Sequence, residues 1–129
     1  MSGQRTTVDE LLAEARAQLD RLAPSDAAAA VGRGALLIDI RSETQRSRDG
    51  VLPQATVVAR NVLEWRLDPE SPHRDRMLAR RDVALILICD EGYQSSLAAA
   101  TLKRFGLDTT DVVGGFQGWK AEGLEVVAP

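Results

Sequence analysis

Cys89 is the only cysteine in the 129 residues, and its surroundings read Leu87-Ile88-Cys89-Asp90-Glu91-Gly92-Tyr93-Gln94-Ser95-Ser96-Leu97-Ala98. An apolar run leads into the thiol, a polar loop with one glycine follows, and a helix-forming run comes next. A thiol at the end of a buried strand and ahead of a helix faces the unpaired amide groups of the loop and first turn. Such amides favour an anion and so a thiolate, and Gly92 can take the backbone conformations that a tight amide cradle requires. The bland reading is that a lone free cysteine fills core space as a small apolar side chain. The residues alone leave both readings open. A single cysteine cannot form an internal disulfide, which fits a reducing, cytoplasmic setting.

No other residue type competes with Cys89 for chemistry. His73 is the sole histidine and lies between Pro72 and Arg74 in a loop, so a surface position is expected and no metal-ligand cluster is read. Arg74, Arg76, Arg80 and Arg81 form the one basic cluster, interleaved with Asp75 and Asp82 as on a solvated helix face. A net charge of −3 argues against a nucleic-acid partner.

The elements that must position Cys89 alternate along the chain. Val8, Leu11, Leu12, Ala15, Leu19 and Leu22 recur at helical spacing, and Thr7 with Glu10 spells a capping box, so residues 1–23 are expected to form an amphipathic helix packed on the body. Pro24 is read as its end, and Ser25 as the cap of a short helix to Val31. Ala35–Asp39, Thr56–Ala59, Val83–Ile88 and Thr109–Val113 read as strands, and helices are expected at Asn61–Leu67, Arg74–Arg81, Ser96–Phe105 and after Gly115. Strands alternating with helices imply a parallel sheet covered on both faces, with ligands beyond the carboxyl ends of its strands. The longest apolar run, Val83–Cys89, spans seven residues and suits a buried strand rather than a membrane span. The first 22 residues have no apolar core of a secretory signal.

The segment Cys89 to Gln94 resembles the active-site loop of the rhodanese family, a six-residue Cys-x-x-Gly-x-x loop after a central strand. Ile38-Asp39-Ile40-Arg41 is similar to the family's Asp-x-Arg strand end. Gly50-Val51-Leu52-Pro53-Gln54-Ala55 is similar to its Gly-His-Ile-Pro-Gly-Ala turn, and Gly114-Gly115-Phe116-Gln117-Gly118-Trp119 through Gly123 to its closing motif. The resemblance implies one rhodanese-like α/β domain over residues 24–129, with a five-stranded, mostly parallel sheet flanked by helices on both faces. It implies a sulfurtransferase in which Cys89 carries sulfane sulfur as a persulfide, without a cofactor, between a small sulfur donor and a thiol or cyanide acceptor. The loop would be Asp90, Glu91, Gly92, Tyr93, Gln94 and Ser95.

Departures from the family pattern keep a non-catalytic interaction or redox-sensing module as the alternative. Val51 replaces the usual histidine, Gln54 a glycine and Arg46 an aromatic residue. Thiosulfate-using relatives often carry arginine or lysine in the loop, where this chain has Asp90, Glu91 and Gln94. Two unit charges about 6 Å apart interact by roughly 1 to 3 kcal/mol, whereas a helix N-terminus supplies typically ~0.3 to 1 kcal/mol. The direction in which the two carboxylates point therefore decides reactivity. Phosphatases of the same fold use Cys-x5-Arg; Ser95 at that position argues against a phosphatase or arsenate reductase. Asp39 and Arg41 are expected to shape the site without doing chemistry. Arg60, after the second strand, is expected to supply the missing cation or else to pair with Glu64, while Asn61 and Trp65 border the pocket and Arg66 lies further along it.

Overall fold

The computed structural model describes residues 5–129; residues 1–4, the start of the expected N-terminal segment, lie outside them. Along the chain come α1 (Val8–Arg16), α2 (Pro24–Gly32), β1 (Leu36–Asp39), α3 (Glu43–Asp49), β2 (Ala55–Val57), α4 (Leu63–Leu67), β3 (Ala84–Ile88), α5 (Gln94–Lys103), β4 (Asp108–Asp111) and α6 (Gly115–Ala121). Thr7 and Glu10 form the reciprocal capping box that opens α1. Helix α1 ends at Arg16 and does not reach residue 23 as expected; Pro24 begins α2 rather than ending that helix, and Ala23, not Ser25, is the cap residue. A proline suits the first helical position because the N–H it lacks would have no partner there.

All strands are parallel, in the order β2-β1-β3-β4. Among the described residues four strands are present, not the five expected. Leu22 runs beside β4 for a single parallel bridge to Val112. Its N–H donates to the Asp111 carbonyl and its carbonyl accepts from the Val113 N–H. Pro24 then follows with no N–H to donate and a φ that starts a helix, so pairing cannot extend into a strand. The expected helix over Arg74–Arg81 is also absent, replaced by turns. Asp75 caps a single turn, its carboxylate accepting the Met77 N–H and its carbonyl accepting from Leu78 and Ala79, and the turn is not continued because the Arg80 N–H donates to the Leu78 carbonyl, two residues back, instead of to that of Arg76.

Side-chain alternation along the strands builds two apolar layers. On one face Ile38, Ile40, Leu85, Leu87 and Cys89 pack with Leu63 and Leu67 of α4 and Ala98 and Leu102 of α5. On the other, Leu37, Ile86 and Ile88 pack with Ala27 of α2 and with Phe116 and Trp119 of α6. The central strand β3 is apolar on both faces for this reason. Helix α1 packs on α5, outside the first layer. Among the described residues no helix is long and apolar enough to cross a membrane.

Candidate active site around Cys89

Cys89 follows the last residue of β3, at the carboxyl edge of the sheet, and is buried, with 2% of its surface exposed. Its sulfur accepts the Gly92 N–H at 3.2 Å, across the turn that the loop makes. Gly92 has φ +87°, and a Cβ there would meet the Gly114 N at 3.0 Å and the Val112 O at 3.1 Å. The sulfur also lies 3.2 Å from Ser95 Oγ, which lies 2.7 Å from Asp111 Oδ2. An ionised carboxylate only accepts, so the Ser95 proton points to Asp111 and the Cys89 S–H points to the Ser95 oxygen. Asp111 is fully buried and ends β4, on the same sheet edge. It also accepts from Ser96 Oγ at 2.7 Å and from both Nε and Nη2 of Arg21 at 2.8 and 3.2 Å.

Two groups of contacts hold the loop. From one side, the first N–H groups of α6 reach it: Phe116 N–H donates to the Cys89 carbonyl at 2.8 Å and Gln117 N–H to the Asp90 carbonyl at 3.0 Å. From the other, Arg16 and Arg21 both donate to the Gly92 carbonyl, at 2.7 and 3.0 Å, and Arg16 also donates to Ser96 Oγ and lies over the Tyr93 ring. The loop carboxylates are accounted for. Asp90 is turned to Gln117 Nε2 at 3.0 Å and to Arg48 at 3.7 Å, and Glu91 is exposed to water. Arg48 also bonds Asp49, whose carboxyl it holds below its ordinary range.

Asp39 and Arg41 lie buried at the neighbouring end of β1 and pair with each other, Nη2 to Oδ2 at 2.8 Å. Arg41 also donates to the Gly50 carbonyl and lies 3.9 Å over the Phe116 ring, which ties three of the sequence motifs into one cluster. A cavity of about 500 Å³ opens at this edge, bordered by Ile40, Arg41, Arg46, Arg60, Asn61 and Gln94. Arg60 lines it while bonded to Glu64 at 3.1 Å, both side chains about a third exposed. Trp65 does not border it: it is 57% exposed and flanks a separate depression with Asp68 and Phe105. Residues 60–62 are a 3-10 turn, three residues per turn, so Asn61 and Trp65 do not share a face as they would on one α-helix. Arg66 likewise turns to the His73 carbonyl and Asp75.

Sequence reasoning missed Asp111, Ser96, Arg16 and Arg21. Asp111 carried a weak signal, a carboxylate at the carboxyl end of a strand, where sites form in parallel sheets; Asp108, at the other end of the same strand, is exposed. The arginines carried none. They lie 71 to 76 positions from the Gly92 they hold, and the packing of α1 on α5 together with the bridge of Leu22 to Val112 brings them there.

The family model of the rhodanese-like domain matches residues 23–122. No curated protein matches the chain. Among solved structures, a Rhodopseudomonas palustris protein of unknown function, described as a possible tyrosine phosphatase, is 30% identical, with 98% of each chain covered and a TM-score of 0.86. A rhodanese-related protein of Thermoplasma volcanium is 23% identical over 84% of this chain and 98% of its own, with a TM-score of 0.64. A thiosulfate sulfurtransferase of Pseudomonas aeruginosa is 21% identical over 85% of this chain and 19% of its own, with a TM-score of 0.68. The chain belongs to the rhodanese-like domain family.

Proposed function

We propose that this rhodanese-like domain is a sulfurtransferase of a reducing, cytoplasmic compartment that carries sulfane sulfur on Cys89. The observation that carries the reading is the hydrogen-bond set at Cys89 Sγ, with the Gly92 N–H and the Ser95 hydroxyl both within 3.2 Å. The thiolate attacks the outer sulfur of a donor such as thiosulfate. An S–S bond forms as the bond from that sulfur to the donor breaks, its electron pair leaving with sulfite, and Cys89–S–S⁻ remains. A thiolate or cyanide acceptor then attacks the outer sulfur, which returns the Cys89 thiolate. This is covalent catalysis in two half-reactions, with one cysteine and no cofactor. Gly92 N–H holds the persulfide charge, Asp39 and Arg41 brace the neighbouring strand end, and Arg46 borders the adjoining cavity as its guanidinium without a carboxylate partner among the described residues.

Burial of the thiol supports a second reading, a non-catalytic interaction or redox-sensing module, because a donor reaches a sulfur that is 2% exposed only if the loop moves. The description of the Rhodopseudomonas protein suggests phosphatase chemistry, but six residues after Cys89 this chain places Ser95, bonded to a buried carboxylate instead of a guanidinium clamp. Intact mass after incubation with thiosulfate or a low-molecular-weight persulfide separates the readings. A gain of one sulfur atom, removed by a thiol reductant and by cyanide with release of thiocyanate, is expected. Cys89→Ser should lose both gain and transfer with its melting temperature unchanged. No gain from either donor on folded protein, or transfer surviving in Cys89→Ser, would refute the proposal.

A further inference from the structure

The loop that holds Cys89 lacks the cations common in thiosulfate-using relatives, yet two guanidiniums are bonded to it from the N-terminal segment. Arg16 and Arg21 meet at the Gly92 carbonyl, and Gly92 is the residue whose N–H points at the sulfur. The same two arginines reach the sulfur by a second route. Arg21 forms a two-point pair with the buried Asp111, Arg16 bonds Ser96, and Ser96 and Ser95 both donate to Asp111 Oδ2 at 2.7 Å.

We infer that Arg21, Asp111 and Ser95 form a positioning relay, braced by Arg16 and Ser96, that sets how readily Cys89 gives up its proton. A serine hydroxyl has one proton. In the thiol state that proton goes to Asp111, and the Ser95 oxygen accepts the Cys89 S–H. After the thiol proton leaves to solvent, the same oxygen would face a sulfur anion with lone pairs only. Turning the Ser95 O–H to the sulfur removes that repulsion and gives the anion, or a persulfide, a second donor beside the Gly92 N–H. Asp111 can release Ser95 because Ser96 and both nitrogens of Arg21 still satisfy it. Arg21 thus has two roles: it frees the hydroxyl, and it neutralises a carboxylate that would otherwise oppose the thiolate.

The charged groups around the sulfur are Asp111 and Arg21 from β4 and the segment before α2, Arg16 from α1, Asp90 and Glu91 from the loop, and the Asp39–Arg41 pair from the end of β1. Asp90 is engaged with Gln117 and Arg48, Glu91 is in water, and Asp39 and Arg41 neutralise each other. Asp111 is the buried charge in series with the sulfur, and contacts of 2.7 and 3.2 Å keep it within about 6 Å.

The inference rests on Cys89 being the reacting atom, but its test does not require sulfur transfer. The rate of iodoacetamide alkylation is followed against pH for the full chain and for Arg21→Gln, Arg21→Lys, Asp111→Asn and Ser95→Ala. Arg21→Gln, which leaves Asp111 uncompensated, should move the midpoint up by as much as about 2 pH units, the worth of one unit charge about 6 Å away at an effective dielectric of 20. Arg21→Lys should keep most of the wild-type midpoint. Asp111→Asn should move it down, and the double variant Arg21→Gln with Asp111→Asn should lie between the singles. Ser95→Ala, the variant with the smallest change in shape, should move it up by losing the second donor. A purely structural role predicts lowered melting temperatures with one common midpoint, and that result, or an Asp111→Asn shift upward, overturns the relay. Shifts of the expected sign in a protein that gains no sulfur from thiosulfate or a persulfide would leave the relay standing and remove the sulfurtransferase reading.

Discussion

Gly115 is the point where the start of α6 touches the loop, so its substitution tests whether that contact holds the thiol in place. Its φ is +56°, and a Cβ built there meets the Cys89 carbonyl oxygen at 2.6 Å, the Gly92 nitrogen at 2.7 Å and the Asp90 carbonyl carbon at 2.8 Å. All three are backbone atoms, so no flexible side chain can swing aside. Gly123 is the matched control, with φ +77° and nothing within 4 Å of a built Cβ. Placing alanine at a left-handed position costs about 1–2 kcal/mol from conformation alone, which is the expected loss for Gly123→Ala. Overpacking adds about 1–3 kcal/mol, so Gly115→Ala should lose about 2–5 kcal/mol. At about 3–5 °C per kcal/mol for a domain of this size, that is a fall in melting temperature of about 6–25 °C. Urea denaturation with a constant slope measures the difference, and iodoacetamide kinetics at a temperature where both variants are folded measure the thiol. Gly115→Ala should alter the alkylation rate and Gly123→Ala should not. Equal losses at the two positions would refute the claim that close approach at Cys89, rather than backbone conformation, makes glycine necessary at 115.

Arg41→Met leaves the buried Asp39 carboxylate without its cation and should cost about 3–5 kcal/mol by urea denaturation, with Asp39→Asn in the same chain restoring part of it; a loss below 1 kcal/mol would show that the pair is not what braces β1. The pH dependence at α1 follows from Glu10, whose carboxyl is held below its ordinary range first by the Thr7 backbone N–H and then by the Thr7 hydroxyl. A depressed folded value means that its contribution is complete above the ordinary value of 4.5 and is lost as the pH falls through the lower folded value. Hydrogen exchange in α1, corrected for intrinsic rates, should therefore lose protection at acid pH before the strands do, and Glu10→Gln should blunt that dependence; protection that stays flat with pH in the wild type would contradict it.

Elements with their own local signal were legible in the sequence. The capping box of α1 is contained within four residues, and the apolar run Val83–Ile88 could only be the central strand. The four motifs gave the family because the residues that each motif spaces correctly come together in space, as Arg41, Gly50 and Phe116 do. Features that depend on distant partners were not legible. The residues suggested four strands and the family resemblance a fifth; Leu22, read as part of a helix, lies beside β4 instead, and Pro24 limits it to a single bridge. The helix expected at Arg74–Arg81 stops after the one turn that Asp75 caps, because the segment has one buried apolar anchor, Leu78, and no apolar face to pack beyond it. Arg60 was read in two ways, cation for the loop or partner of Glu64, and the structure shows the pair with Glu64, made by a guanidinium that borders the cavity beside Gln94.

The acidity of the loop changes meaning once the carboxylates have positions. Counting Asp90 and Glu91 against the amide cradle assumed that they act on the sulfur at close range through a medium of modest dielectric. Glu91 is instead in water, where a unit charge is worth about 1 kcal/mol even at 4 Å, and Asp90 spends its charge on Gln117 and Arg48. The carboxylate with the shortest connection to the sulfur is one outside the loop, Asp111, and it arrives with its own cation. A loop can therefore lose the arginine common among relatives without losing control over its thiol, provided that the chain before the domain reaches back to supply the charge. For this chain the residues that decide reactivity are spread over β4 and the N-terminal segment, so removing residues 5–23 should change the chemistry of Cys89 as surely as a substitution in the loop itself.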